Sequence, residues 1–178
     1  KINYLPSDAA ILAFGDSITY GEGASLEESY PCELTRLTGY GVINAGVCGE
    51  VTSDALNRLP QLLKDHHPRL VILCHGGNDM LRHVPSKEIR ANLELMIDEI
   101  KSSGSEVILV GVPHPGLFIR TASLYKEIAK SKRIPSEQKI VAEVLSSPSL
   151  KYDQIHPNAE GYKRIAQAIA RLLPEREK

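Results

Sequence analysis

Apolar and polar positions along the chain fall into alternating blocks of two kinds. The runs Ile11-Leu12-Ala13-Phe14, Leu70-Val71-Ile72-Leu73-Cys74 and Val107-Ile108-Leu109-Val110 are short and almost wholly apolar. That is the signature of strands covered on both faces. Val42-Ile43-Asn44 is a shorter run of the same kind. Between these runs, apolar residues recur every three or four positions, as on one face of a helix. Tyr30-Pro31 opens such a segment through about Leu37, with proline at a tolerated early position. A second is capped by Thr52 or Ser53 and sets Leu56, Leu59 and Leu63 on one face. A third follows Ser86 as its cap, carries Ile89, Leu93, Met96, Ile97 and Ile100, and stops at Gly104. The last begins near Asn158 and buries Tyr162, Ile165, Ile169 and either Leu172 or Leu173. Two further helices are expected over residues 117–131 and 136–145, and a fifth strand has only Arg133-Ile134-Pro135 as a hint.

Strand and helix alternating at this spacing imply right-handed βαβ units. The predicted fold is therefore α/β: a three-layer α/β/α sandwich around a parallel, flavodoxin-like sheet of about five strands, as one domain over residues 1–178. Composition narrows the partners. Hydrophobic residues make up 42% and charged residues 24% of the 178, an ordinary globular balance. A net charge of -1 without a basic block argues against nucleic acid or a polybasic membrane contact. No apolar run approaches the length needed to span a bilayer. Cys32, Cys48 and Cys74 form no CxxC pair, which argues against a disulfide scaffold or a zinc site and for small buried fillers. The chain opens at Lys1 rather than Met, compatible with a removed upstream segment.

Chemistry collects at the strand ends. Gly15-Asp16-Ser17 follows the first run, Asn44 and a glycine-rich turn to Gly49 the second, and His75-Gly76-Gly77-Asn78-Asp79 the third. Tyr152-Asp153-Gln154-Ile155-His156-Pro157 precedes the last helix. Parallel strands bring the first three to one rim, where α/β proteins bind ligands. A serine, a histidine, a carboxylate, an amide and free backbone donors are the parts needed for acyl transfer. No G-x-S-x-G elbow or G-x-x-x-x-G-K-[ST] loop occurs, and Gly21-Glu22-Gly23 lacks the third glycine of a dinucleotide fingerprint. There is no H-E-x-x-H, so no metal or cofactor is implied.

These four blocks, in this order and spacing from Phe14 to about Tyr162, resemble the SGNH hydrolases, also called GDSL esterases and lipases. The resemblance is nearest to their bacterial thioesterase, lysophospholipase and arylesterase branch. It implies Ser17 as nucleophile, His156 as base and Asp153 as its acid partner. It also implies an oxyanion hole from the Ser17 N–H, a glycine after the second strand and the Asn78 side chain. Gly49 fits the family spacing and lies nearer the following helix N-terminus, with Gly46 in reserve. Asp16 and Asp79 are expected to brace their own loops through backbone N–H groups. Met80, Leu81, His114, Leu117, Phe118 and Ile155 are the candidate substrate-binding residues.

The expected activity is hydrolysis of small aryl or short-chain acyl esters. A carbohydrate O-deacetylase is the alternative within the same chemistry, and a flavodoxin-like phosphate- or nucleotide-binding domain the alternative outside it. A sugar would want aromatic platforms, and the chain has no Trp, two Phe and seven Tyr. Close relatives of this type are commonly exported, so a periplasmic or lipoprotein-anchored enzyme is expected, with a cytoplasmic one as the other option.

Overall fold

Each apolar run becomes a strand of one sheet in the computed structural model, which describes residues 1–114, 116 and 119–176. β1 (Ala10–Gly15), β2 (Gly41–Gly46), β3 (Leu70–Cys74), β4 (Glu106–Val110) and a two-residue strand, Ser136–Glu137, pair in parallel. With the antiparallel pair β5 (Pro113–His114) and β6 (Arg120–Thr121) counted in chain order, the two-residue strand is β7, and the sheet order is β2-β1-β3-β4-β7. The chain therefore reverses direction across the sheet between β1 and β3, which opens a crevice at their carboxyl ends. Register sharpens this: Gly15 lies opposite both Gly46 and Cys74, so three strands end level with one another.

The helices cover both faces. α2 (Tyr30–Thr38) packs on α8 (Ala159–Ala170), and α7 (Ile140–Ser146) joins α8. α3 (Thr52–His66) packs on α5 (Ser86–Ser102), and α5 on α6 (Ser123–Lys132). Ile11 to Phe14 and Leu70 to Leu73 have no exposed surface, as a strand covered on both faces requires. Each such aliphatic side chain contributes about 1.5–3 kcal/mol. Asn158 caps α8 by accepting the Gly161 N–H at 3.0 Å, and just past the end of that helix Leu173 is buried while Leu172 stays half-exposed. This is the three-layer α/β/α arrangement of the sequence reading.

Several boundaries differ from the pattern. The helix expected over 117–131 begins only at Ser123, because Arg120–Thr121 pairs with Pro113–His114 as an antiparallel strand instead. The helix expected over 136–145 is α7, and its expected first residues are β7 instead. That strand lies just past the hint at residues 133–135; it pairs Ser136 with Leu109 and Glu137 with Val110. Two polar edge residues leave no apolar run to read. Ser86 and Thr52 are the first helical residues of α5 and α3, behind Pro85 and Val51, and neither acts as the cap. Cys74 is buried and Cys32 partly so, but Cys48 is exposed rather than a core filler, because it sits in the turn between β2 and α3.

Candidate active site

β1 ends at Gly15 and the chain turns at once into α1 (Ser17–Tyr20). Buried Asp16 caps this turn, its Oδ1 accepting the Ile18 N–H at 3.1 Å. Burial pushes the Asp16 carboxyl up, opposed by the neighbouring His75 ring and that backbone donor. Ser17 is the first residue of α1, so its N–H has no intrahelical acceptor.

The segment before α8 arrives from the other side. It closes on itself through the Tyr152 N–H to the His156 carbonyl (2.9 Å) and the Lys151–Pro157 bridge. Asp153 Oδ1 accepts the N–H groups of Ile155 and His156, both at 2.8 Å. Its Oδ2 lies 2.8 Å from His156 Nδ1, and His156 Nε2 lies 3.1 Å from Ser17 Oγ. A carboxylate facing Nδ1 assigns the proton to that nitrogen and leaves Nε2 as the acceptor toward the serine. Burial disfavours the Asp153 charge, yet the ring and the two backbone donors hold its carboxyl below the usual range.

The turns after β2 and β3 carry the remaining candidate groups. Gly46 donates its N–H to Asn44 Oδ1 at 3.0 Å, and a side chain there would meet the Tyr20 backbone nitrogen at 2.1 Å. Gly46 is thus committed to packing on α1. Gly49 has φ +76°, a left-handed conformation, and its N–H has no hydrogen-bond partner among the described residues. Asn78, in α4 (Gly77–Leu81), donates one Nδ2 proton to the Glu50 carbonyl at 3.0 Å and keeps the other. Asp79 is buried but does not brace its own loop. It accepts the Thr52 N–H (2.9 Å to Oδ2) and the Thr52 hydroxyl (2.6 Å to Oδ1), fastening the start of α3.

Buried Glu50 and His75 and half-buried Arg58 form a cluster that sequence reasoning did not assemble. Arg58 grips Glu50 through Nε to Oε1 (2.8 Å) and Nη2 to Oε2 (2.6 Å), and Nη2 also donates to the Ala45 carbonyl at 3.1 Å. The guanidinium stands 4.6 Å over the Phe14 ring. His75 Nε2 lies 3.1 Å from Glu50 Oε2, a close approach not aligned as a hydrogen bond. Burial opposes the Glu50 charge, but the facing His75 and Arg58 groups hold its carboxyl down at about 2.

A recess of about 50 Å³ opens beside Ser17 and Asn78, and Leu81, Leu145 and Ile155 join it to a cavity of about 490 Å³. His114, Lys151 and Gln154 add polar groups to that cavity. Of the candidate substrate-binding residues, Leu81, His114 and Ile155 line these spaces. Met80 does not: it is 4% exposed and packs in the core. Leu117 and Phe118 lie outside the described residues. Leu145 and Ile119 were missed because the pattern assigns them only to helix faces. A larger cavity of about 580 Å³ sits at the opposite edge, near Lys64, Arg69 and Glu99, away from the serine and histidine. Among the described residues no group of three His, Cys, Asp or Glu is placed to hold a metal ion. The Cys48 thiol is pushed up by partial burial and by the Glu22 carboxylate 3.5 Å away, which disfavours the thiolate.

Residues 13–164 match the model of the GDSL-like lipase/acylhydrolase family, and the chain belongs to that family of ester-cleaving hydrolases. An arylesterase of Vibrio mimicus is 33% identical over 174 residues, covering 92% of this chain and 87% of the relative. The thioesterase 1/protease 1/lysophospholipase L1 of Escherichia coli strain K12 is 30% identical over 171 residues, covering 92% of this chain and 82% of its own. Among solved structures, AlinE4, an SGNH-hydrolase family esterase, superposes with a TM-score of 0.73 at 30% identity, covering 96% of this chain and all (100%) of its own.

Proposed function

We propose that this enzyme hydrolyses small carboxylic esters, aryl or short-chain acyl, through a Ser17–His156–Asp153 triad. The observation that carries the reading is the continuous line from Ser17 Oγ to His156 Nε2 (3.1 Å) and from Nδ1 to Asp153 Oδ2 (2.8 Å). As Ser17 Oγ attacks the ester carbonyl, His156 takes its proton, and Asp153 stabilises the imidazolium. The oxyanion is met by the Ser17 N–H, the Gly49 N–H and the free proton of the Asn78 amide. His156 then protonates the departing alcohol, and a water attacks the acyl-serine by the same route in reverse.

The cavity of about 490 Å³ that shares Leu81, Leu145 and Ile155 with the recess at Ser17 supports an acyl or aryl group of modest size, and that shared apolar wall suits one. The sugar-ester alternative has less support: Tyr30, Tyr40, Tyr125 and Tyr162 are wholly buried, so four of the seven tyrosines offer no stacking surface. The phosphate-binding alternative gives way to membership of a hydrolase family. Export to the periplasm stays part of the proposal, supported by the branch resemblance; cell fractionation of the full gene product checks it.

Turnover of p-nitrophenyl acetate, butyrate and octanoate by the wild type and Ser17→Ala tests the reading. The wild type should favour the shorter acyl groups, and the variant should lose about 10⁴-fold or more in kcat. Equal rates in the two proteins would remove Ser17 from the mechanism.

A further inference from the structure

We propose that Glu50 is a positioning residue that sets two oxyanion donors at once, a role that rests on the triad and oxyanion reading above. Two donors from different strand ends must converge on one point to within a fraction of an ångström. Glu50 touches both. It follows Gly49 directly, so fixing its side chain fixes the end of the turn carrying the unpartnered Gly49 N–H. Its own carbonyl accepts one proton of Asn78 Nδ2 at 3.0 Å, which aims the other proton of that amide.

The side chain is held far more firmly than a solvated glutamate. Glu50 is 9% exposed, and Arg58 grips both of its oxygens while also bonding Ala45 at the end of β2. One guanidinium therefore ties down both ends of the turn between β2 and α3. Phe14 beneath it and His75 beside it tie that clamp to β1 and to the end of β3. Arg82 Nη2 adds a bond to the Gly49 carbonyl at 3.0 Å. A buried ion pair is a weak source of stability, because desolvation cancels much of its attraction. Its placement at the end of the glycine turn, beside the Val47 N–H bond to the Gly15 carbonyl, gives it a different use: geometric definition of the two donors.

The test compares wild type, Glu50→Gln, Arg58→Lys and Asn78→Ala, alone and with Glu50→Gln added to Asn78→Ala. Thermal melting of each variant establishes that it is folded. Glu50→Gln is nearly isosteric but sets an amide N–H₂ against Arg58 or His75; Arg58→Lys keeps the charge but not the fork. Each should lower kcat for p-nitrophenyl butyrate by about 10–10²-fold while KM moves less than about threefold. Inactivation of Ser17 by a p-nitrophenyl phosphonate, which needs the same donors, should slow in parallel. In the Asn78→Ala background the Glu50→Gln loss should shrink, because one of the donors it positions is already gone. A folded Glu50→Gln with wild-type kcat, or a loss that multiplies in full with Asn78→Ala, overturns the proposal. Should Glu50→Gln not fold, Arg58→Lys decides by the same criteria. A wild type no more active than Ser17→Ala would instead mark failure of the esterase reading itself.

Discussion

Asn78 illustrates how one side chain is shared between structure and chemistry. One amide proton goes to the Glu50 carbonyl, Asn78 lines the same recess as Ser17, and the other proton is the one proposed to meet the oxyanion. Asn78→Ala should therefore reduce kcat by about 10²–10³-fold, as loss of one oxyanion donor does, and steady-state kinetics with a p-nitrophenyl ester would show it. Asp79, its neighbour, has a structural task. Asp79→Ala removes the acceptor of the Thr52 N–H and hydroxyl and should cost about 1.5–3 kcal/mol, read from chemical denaturation. At this scale the sequence was informative where chemistry is local. Asp153 and His156 sit three residues apart in one turn, and Ser17 follows a strand-ending glycine at the rim, but the expectation that these two segments meet rested on the family resemblance and not on spacing. Glu50 and Arg58 were invisible for the opposite reason. A glutamate after a glycine and an arginine on a helix read as solvated surface until the turn folds back, buries the first and pairs it with the second. Met80 misled in the same way, since its place after Asn78 says nothing about which side of a short helix faces the core.

Between residue and fold stand the links that hold catalytic loops to the helices behind them. Tyr125 of α6 donates its hydroxyl to the His75 carbonyl at 2.6 Å, just ahead of the Gly76-Gly77-Asn78 turn. Tyr162 of α8 donates to the Glu22 carbonyl at 2.6 Å, and Tyr30 of α2 meets the Thr19 hydroxyl at 3.0 Å. Three outer helices thus each pin a segment near the crevice: the turn at Glu22, the turn at His75, and α1 itself at Thr19. Tyr125→Phe would strand the buried His75 carbonyl and should lower stability by about 1–3 kcal/mol, visible as a fall in melting temperature. Helices and central strands were readable because their apolar period is their cause. β7 and the β5–β6 pair were not, because two-residue strands carry no period and arise from pairing with partners distant in sequence.

For the molecule as a whole, parallel strands ending level at Gly15, Gly46 and Cys74 gather the site without any single segment spanning it. One buried cluster runs through both helix layers, which supports the proposal that residues 1–178 unfold as one domain; a single calorimetric transition would bear on it. Acid should weaken that transition in a definite window. The Glu50 carboxyl, at about 2 when folded against an ordinary 4.5, adds stability that is complete above about 4.5 and is lost as pH falls toward about 2. Denaturant midpoints measured across that range should fall, and Glu50→Gln should flatten the fall. The buried phenols write the alkaline side in light. Burial lifts the hydroxyls of Tyr30, Tyr125 and Tyr162 above their ordinary 10.0, so they ionise later in the folded chain than in the unfolded one. Stability they contribute is intact below about 10 and drains away above it. Because the chain has no Trp, its ultraviolet emission belongs to tyrosine. An alkaline absorbance titration should therefore show tyrosinate from Tyr30, Tyr125 and Tyr162 only as the fold opens.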